Sequence, residues 1–268
     1  MLEPSNQCLT DTESLVDVII SFSYLPTANS EPWNMIPFLS HERIPYSMPG
    51  DPNKVLNDDR DVQRTLGASY SIFGQSMNTI SMTDNGYISL GTATDAFPDQ
   101  FCLSTSNGYL NVAYLIGLNY DQKPESSTGA IFYAEVTSGS ALTTLQTEIC
   151  AFDNSSCNAG FSVDRAAIVT VMGSMAFDER SWGNTYQLII ATDISRSQTY
   201  GIIIYGVILG YRGDVDCEQF HGAKFSRDQY LMDISSTPYS HDKIYNLQFS
   251  KNAATTGVYV VRMYTPGP

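Results

Sequence analysis

The 268-residue chain has no stretch of about 18 or more apolar residues, so no segment reads as a membrane-spanning helix. Its longest early apolar run, Leu15–Phe22, is interrupted by Asp17. That run lacks a basic flank and a small-residue cleavage site, so it does not read as a signal peptide; the signal of an exported form has been removed or is encoded outside this sequence. Basic residues are few. Fourteen Lys and Arg stand against 28 Asp and Glu, for a net charge of −14. Such a field repels polyanions, which disfavours nucleic acids and anionic membrane surfaces and leaves cations and basic protein surfaces as partners. Neither a G-x-S-x-G motif nor a glycine-rich phosphate loop occurs. The three histidines, His41, His221 and His241, have the acidic neighbours Glu42, Glu218 and Asp242, but none falls in a catalytic spacing. They read as surface or structural residues. The 28 acids leave only a facing carboxylate pair open as enzyme chemistry. The expectation is a non-enzyme without a cofactor.

Cysteine is sparse and differently informative. Cys8, Cys102, Cys150, Cys157 and Cys217 include no CxxC pair and none precedes a metal-spaced histidine, which argues against zinc and against a thioredoxin-like centre. Cys150 and Cys157 flank the polar, turn-forming stretch Ala151–Ser156. A bridge there closes a short loop and contributes about 2.5 kcal/mol on the chain-entropy model. Cys102 and Cys217 then remain to pair, with Cys8 left over for an intermolecular bond; five buried free thiols is the alternative. The same stretch carries Asn154-Ser155-Ser156, an N-glycosylation acceptor.

The rest of the chain is punctuated like a β protein, with 43% hydrophobic residues and no low-complexity tract. Runs rich in Val, Ile, Tyr, Phe and Thr, bounded by Gly, Pro, Asn and Asp, predict strands at Leu15–Phe22, Asn78–Thr83, Tyr87–Leu90, Val112–Leu118, Ala130–Val136, Ala166–Met172, Thr185–Thr192, Tyr200–Tyr211, Lys243–Phe249 and Gly257–Tyr264. Asp84-Asn85-Gly86 reads as a tight hairpin turn, because Asn-Gly tolerates positive φ. Asn107-Gly108 and Trp182-Gly183-Asn184 mark further turns. Ser138–Cys150 is the best helical candidate, weakened by its threonines. The predicted fold class is all-β: a β-sandwich of mostly antiparallel strands with long loops and at most one or two short helices. Residues 1–34 read as a separate N-terminal strand or arm with a linker, and 35–268 as the sandwich domain.

The acidic segment from Asp51 to Asp61 offers oxygen ligands of the kind calcium takes, with Asp51, Asp58, Asp59 and Asp61 as the candidates. The glycine and terminal Glu of an EF-hand are lacking, and the reading the residues favour is a solvated loop with Asp58 or Asp59 capping turns or pairing with Arg60.

From Phe38 onward the landmarks follow a recognisable order. Pro45-Tyr46, Gly50-Asp51 and Asn57-Asp58-Asp59 come first, then Phe73-Gly74 and the hairpin Thr83-Asp84-Asn85-Gly86-Tyr87-Ile88-Ser89-Leu90-Gly91. Gly129-Ala130-Ile131-Phe132-Tyr133, Ala167–Val171 and Asn184-Thr185-Tyr186-Gln187-Leu188-Ile189-Ile190-Ala191-Thr192-Asp193 follow, then Tyr200–Tyr205, Gly222–Phe225 and Gly257–Arg262. This ordered set, over about residues 38–264, resembles the NIDO domain, an extracellular module of nidogen, alpha-tectorin and membrane-bound mucins. Met172 stands where that family tends to have Trp, and Ala113-Tyr114-Leu115-Ile116 replaces its "AP-[FW]-W" segment, so the resemblance is to a divergent member. It implies a secreted, non-enzymatic adhesion or matrix module with extracellular proteins or glycans as partners. Two alternatives accompany it: a self-assembling subunit that pairs the Leu15–Phe22 strand with another copy, and a lectin-like binder using some of the 17 Tyr and two Trp as stacking faces.

Overall fold

The computed structural model describes residues 35–44, 61–83, 85–91, 112–118, 122–123, 130–176, 183–209, 222–225, 229–233 and 247–264. Among them the strands are β1 (Glu42–Ile44), β2 (Asp61–Ile72), β3 (Gln75–Thr83), β4 (Tyr87–Leu90), β5 (Ala113–Ile116), β6 (Gln122–Lys123), β7 (Ala130–Val136), β8 (Arg165–Ala176), β9 (Asn184–Asp193), β10 (Gln198–Val207), β11 (Gly222–Phe225), β12 (Gln229–Asp233) and β13 (Val258–Arg262). Two helices, α1 (Ser140–Phe152) and α2 (Asn154–Asn158), lie between β7 and β8. A seven-stranded sheet runs β1-β7-β8-β9-β10-β13 with β6 also on β8, and a six-stranded sheet runs β12-β11-β5-β4-β3-β2. All pairings are antiparallel, and the fold is the expected all-β sandwich.

The strand sequences explain the layering. On β9, Tyr186, Leu188 and Ile190 face the interior between the sheets, whereas Ile189 and Ala191 face the other way, towards the helices. On β10, Ile203 and Tyr205 point inward and Tyr200, Ile202 and Ile204 point to the helical side. The period-2 alternation therefore places apolar residues on both faces. That is why Leu188-Ile189-Ile190 is an unbroken apolar run. Two cores result: one between the sheets, and one between the seven-stranded sheet and a cap made of residues 35–38, α1 and the segment after α2.

Packing between the sheets is close enough to demand small residues. A Cβ added to Gly201 would stand 2.8 Å from Leu115 and 2.9 Å from Val261. At one edge Glu135 of β7 ties the sheets together: it accepts from the Gly67 N–H at 2.8 Å and the Tyr70 hydroxyl at 3.3 Å on β2, and from Arg165 on β8 at 2.9 Å.

Several boundaries differ from expectation. β2 is a strand that the sequence reading does not contain. Its half-polar alternation, its charged start and Gly67 obscure it, yet its buried residues Leu66, Tyr70 and Ile72 reach the inter-sheet core. It turns into β3 through Phe73 (φ 48°) and Gly74 (φ 79°), a two-residue turn with both positions left-handed. The β3–β4 connection joins strand ends that fall where expected, but only Gly86 of the Asn-Gly pair takes a positive φ. β3 ends at Thr83 and β4 begins at Tyr87, and the left-handed conformation falls on Gly86 (φ 82°), while Asn85 is buried. In the predicted strand Lys243–Phe249, Leu247 lies in a helical turn and residues 248–249 in a turn. β10 ends at Val207, four residues before the predicted end. The helix expected over Ser138–Cys150 forms two residues later. Leu142, Leu145 and Ile149 line one face of α1, so burial of an apolar stripe outweighs the weak propensity of its threonines. Leu15–Phe22, Asn107-Gly108, the arm 1–34, and the linking segments at 45–60 lie outside the described residues.

Candidate functional site

The most elaborated part of the molecule is the cap on the outer face of the seven-stranded sheet. Cys150, near the end of α1, is bridged to Cys157 in α2, with Cα atoms 5.6 Å apart. The stretch between them, read from sequence as a polar turn, is the end of α1, a single break at Asp153 and then α2. Gln146, one turn earlier, holds the chain that leaves α2. Its Oε1 accepts from the Val163 N–H at 2.7 Å and its Nε2 donates to the Phe161 carbonyl at 3.1 Å, beside both bridge sulfurs.

Asp153 is the centre of this cap. Its residue is 2% exposed. Oδ1 accepts from the Ser155 hydroxyl at 2.7 Å and from the Ser156 N–H at 3.2 Å. Oδ2 accepts from the Ser156 hydroxyl at 2.9 Å, the Tyr200 hydroxyl at 2.8 Å, the Tyr264 hydroxyl at 3.3 Å and Arg262 Nε at 2.7 Å. Burial alone would raise the carboxyl's pKa. The hydrogen bonds from Arg262, Ser155, Tyr200 and Ser156 outweigh it and hold the group well below the usual carboxylate range. One side chain thus ties α2 to β10, to β13 and to Tyr264 just beyond it. Arg262 also lies over the Phe152 ring, 5.9 Å from its centroid.

Two further buried groups fasten the same layer. Glu148 accepts from the Ala254 and Thr255 N–H groups at 2.8 and 3.0 Å and from the Thr255 hydroxyl, anchoring α1 to the turn before β13. Gln187, on β9, makes a two-way bond with Ile36: the Ile36 N–H donates to Oε1 at 2.9 Å and Nε2 donates to the Ile36 carbonyl at 2.8 Å. The side-chain amide therefore acts as a one-residue strand and fixes the chain at Ile36. Between residues 35–37, α1, β10 and β13 lies a cavity of about 240 Å³, whose polar lining includes Ser140, Thr144, Glu148 and Thr255. Glu148 Oε2 accepts from the 254–255 backbone and Oε1 from the Thr255 hydroxyl, so the side chain is spent as a structural acceptor. Asp193, at the end of β9, is spent in the same way. Burial would raise its pKa, but the Ser195 hydroxyl and the Ser162 and Arg196 N–H groups lower it.

The predicted site residues are scattered. Asn154 is exposed and is the first residue of α2. Gly86 takes the left-handed turn position, and Asn184 Oδ1 accepts from the Leu209 N–H at 2.8 Å at the start of β9. Asp61 opens β2 opposite Thr83. The other calcium candidates, Asp51, Asp58 and Asp59, lie outside the described residues, as do Cys102 and Cys217; among the described residues no group of three or more His, Cys, Asp or Glu could hold a metal ion. The sequence reading missed Asp153, Glu148 and Gln187 as organising residues. The available signal was local only: an Asp and two serines inside a cysteine-flanked stretch.

No curated protein and no solved structure matches this chain. The family model for the nidogen-like domain (NIDO) matches residues 78–265, which takes in most of β3, β4–β13 and both helices with their bridge. The opening landmarks from Pro45 to Gly74 lie before that match. With most of its length matched, including the β9 segment Asn184–Asp193 in full, the chain belongs to the nidogen-like domain family.

Proposed function

We propose that this chain is a non-enzymatic extracellular adhesion or matrix module that binds other proteins through a rigid, disulfide-bridged surface. Membership of the nidogen-like family carries the reading. The cap supports it in two ways. A bridge is the kind of bond that persists in oxidising compartments, and the buried carboxylates Asp153, Glu148 and Asp193 and the half-buried Glu135 are taken up by structural donors, an arrangement suited to holding the fold together. Among the described residues no helix is long and apolar enough to cross a membrane. The net charge of −14 favours partners with basic surfaces.

The test is direct. The full chain, secreted from eukaryotic cells, is immobilised and exposed to solubilised matrix proteins. A partner whose capture is competed by soluble chain and weakened by salt supports the reading. Absence of any competable partner at micromolar chain counts against it.

A second reading, self-assembly through Leu15–Phe22, draws on the Gln187–Ile36 clamp, which fixes the chain at Ile36 on the outer face of the sheet. Deleting residues 1–33 and measuring mass by light scattering tests it: a fall to monomer supports strand exchange, and an unchanged mass rejects it. The lectin-like reading is tested by a glycan array.

A further inference from the structure

We propose that Asn154 receives an N-linked oligosaccharide, and that it does so only before the Cys150–Cys157 bridge and the contacts around Asp153 have closed. The proposal rests on the extracellular reading above, because the modification belongs to exported chains.

The acceptor motif is read by its Asn and by the hydroxyl two residues on. Asn154 itself is exposed. Ser156, which supplies that hydroxyl, is engaged on three sides. Its Oγ donates to Asp153 Oδ2 at 2.9 Å and lies 2.9 Å from the Tyr264 hydroxyl, and its N–H donates to Asp153 Oδ1 at 3.2 Å. Ser155 is held too, by its hydroxyl on Asp153 at 2.7 Å and by its carbonyl, which accepts from the Ala159 N–H at 3.0 Å. The motif therefore lies in a short helix, with its reading hydroxyl engaged by Asp153 and Tyr264 and its acceptor group displayed.

The bridge adds a geometric limit. Cys150 and Cys157 are separated by seven positions in sequence and 5.6 Å in space, whereas an extended chain of that length spans about 24 Å. A transferase that needs the motif extended meets it in that form only in the open chain.

In the transfer, the Asn154 amide nitrogen bonds to the anomeric carbon of a lipid-pyrophosphate-linked oligosaccharide. The bond from that carbon to the pyrophosphate oxygen breaks, the lipid pyrophosphate leaves with the electron pair, and the amide gives up one proton. Closure of the cap and sugar transfer compete for the same residues, so occupancy of Asn154 records which came first.

The experiment uses the full chain made without glycan in bacteria. One portion is folded with the bridge formed, and another is reduced, alkylated and kept unfolded. Both are given to purified oligosaccharyl transferase with its lipid-linked oligosaccharide, and an Asn154→Gln chain in the alkylated form serves as the control. The alkylated wild-type chain is expected to gain one glycan at Asn154, read by peptide mass and removed by N-glycosidase. The bridged chain is expected to react about tenfold more slowly or less, because only its locally opened population presents the motif. Equal rates for the two forms overturn the proposal, and so does an alkylated chain that accepts no sugar at Asn154. Since the transferase is supplied in vitro, failure here leaves the adhesion reading standing, and a chain that finds no matrix partner leaves this result standing.

Discussion

Replacing Asp153 by Asn isolates the electrostatic part of the cap with little change in volume. The carboxylate accepts two hydrogen bonds at Oδ1 and four at Oδ2. An amide turns one of these oxygens into a donor. Placed at Oδ2 it faces Arg262; placed at Oδ1 it faces the Ser156 N–H. Hydrogen bonds to a charged group contribute about 1.5–3 kcal/mol each. The Arg262 side chain is 42% exposed, however, so solvent screens its share and keeps it near the lower end. Loss of the charge-assisted bonds and one donor–donor conflict together cost about 3 kcal/mol. In urea that lowers the unfolding midpoint by about 1 M or more. The pH dependence is a second, independent reading. The folded-state pKa of Asp153 is depressed, so its stabilisation is fully present above the unfolded value near 3.9 and declines as pH falls below it. The gap between wild type and D153N is therefore expected to shrink by about 1 kcal/mol between pH 7 and pH 3. An unchanged midpoint at pH 7, or a gap that does not narrow in acid, would refute the role assigned to this carboxylate.

Other expectations follow from the same contacts. Gln187→Leu removes both bonds to Ile36 from a fully buried position and should cost about 2 kcal/mol, with amide exchange at Ile36 accelerated more than in β9. Gly201→Val forces side-chain atoms into Leu115 and Val261 and should lower stability by about 1–3 kcal/mol by overpacking, seen as a lower thermal midpoint with unchanged dichroism. Tyr133 is pushed up to about 12, first by burial and then by the charge of Glu135. A raised phenol pKa means stability is complete below the unfolded value near 10 and is lost as pH rises towards 12, so Tyr133→Phe should hold its midpoint better than wild type across that window.

Much of the sandwich was readable because its strands obey simple local rules. Tyr87–Leu90 and Ala130–Val136 begin and end where their flanking turn residues say they should. β2 was not, because an edge strand with one wet face mixes Arg64 and Gln63 with Leu66 and Tyr70, and Gly67 interrupts the alternation at the point where Glu135 reaches in. The candidate site was legible only in its covalent part. Cys150 and Cys157 lie seven positions apart, whereas the partners that matter to Asp153 stand 47, 109 and 111 positions away. Gln187 and Ile36 are separated by 151 positions. Such pairings depend on which strands become neighbours, and no periodicity in one chain reports that.

The central claim is that this nidogen-like domain is completed in an oxidising compartment, with its helical cap locked to the sheet. Peptide mass mapping of the chain secreted from eukaryotic cells, without reduction, addresses it most directly. The account predicts one linked species joining Cys150 to Cys157 in essentially every molecule. Free thiols at both positions in the secreted, folded protein would contradict it.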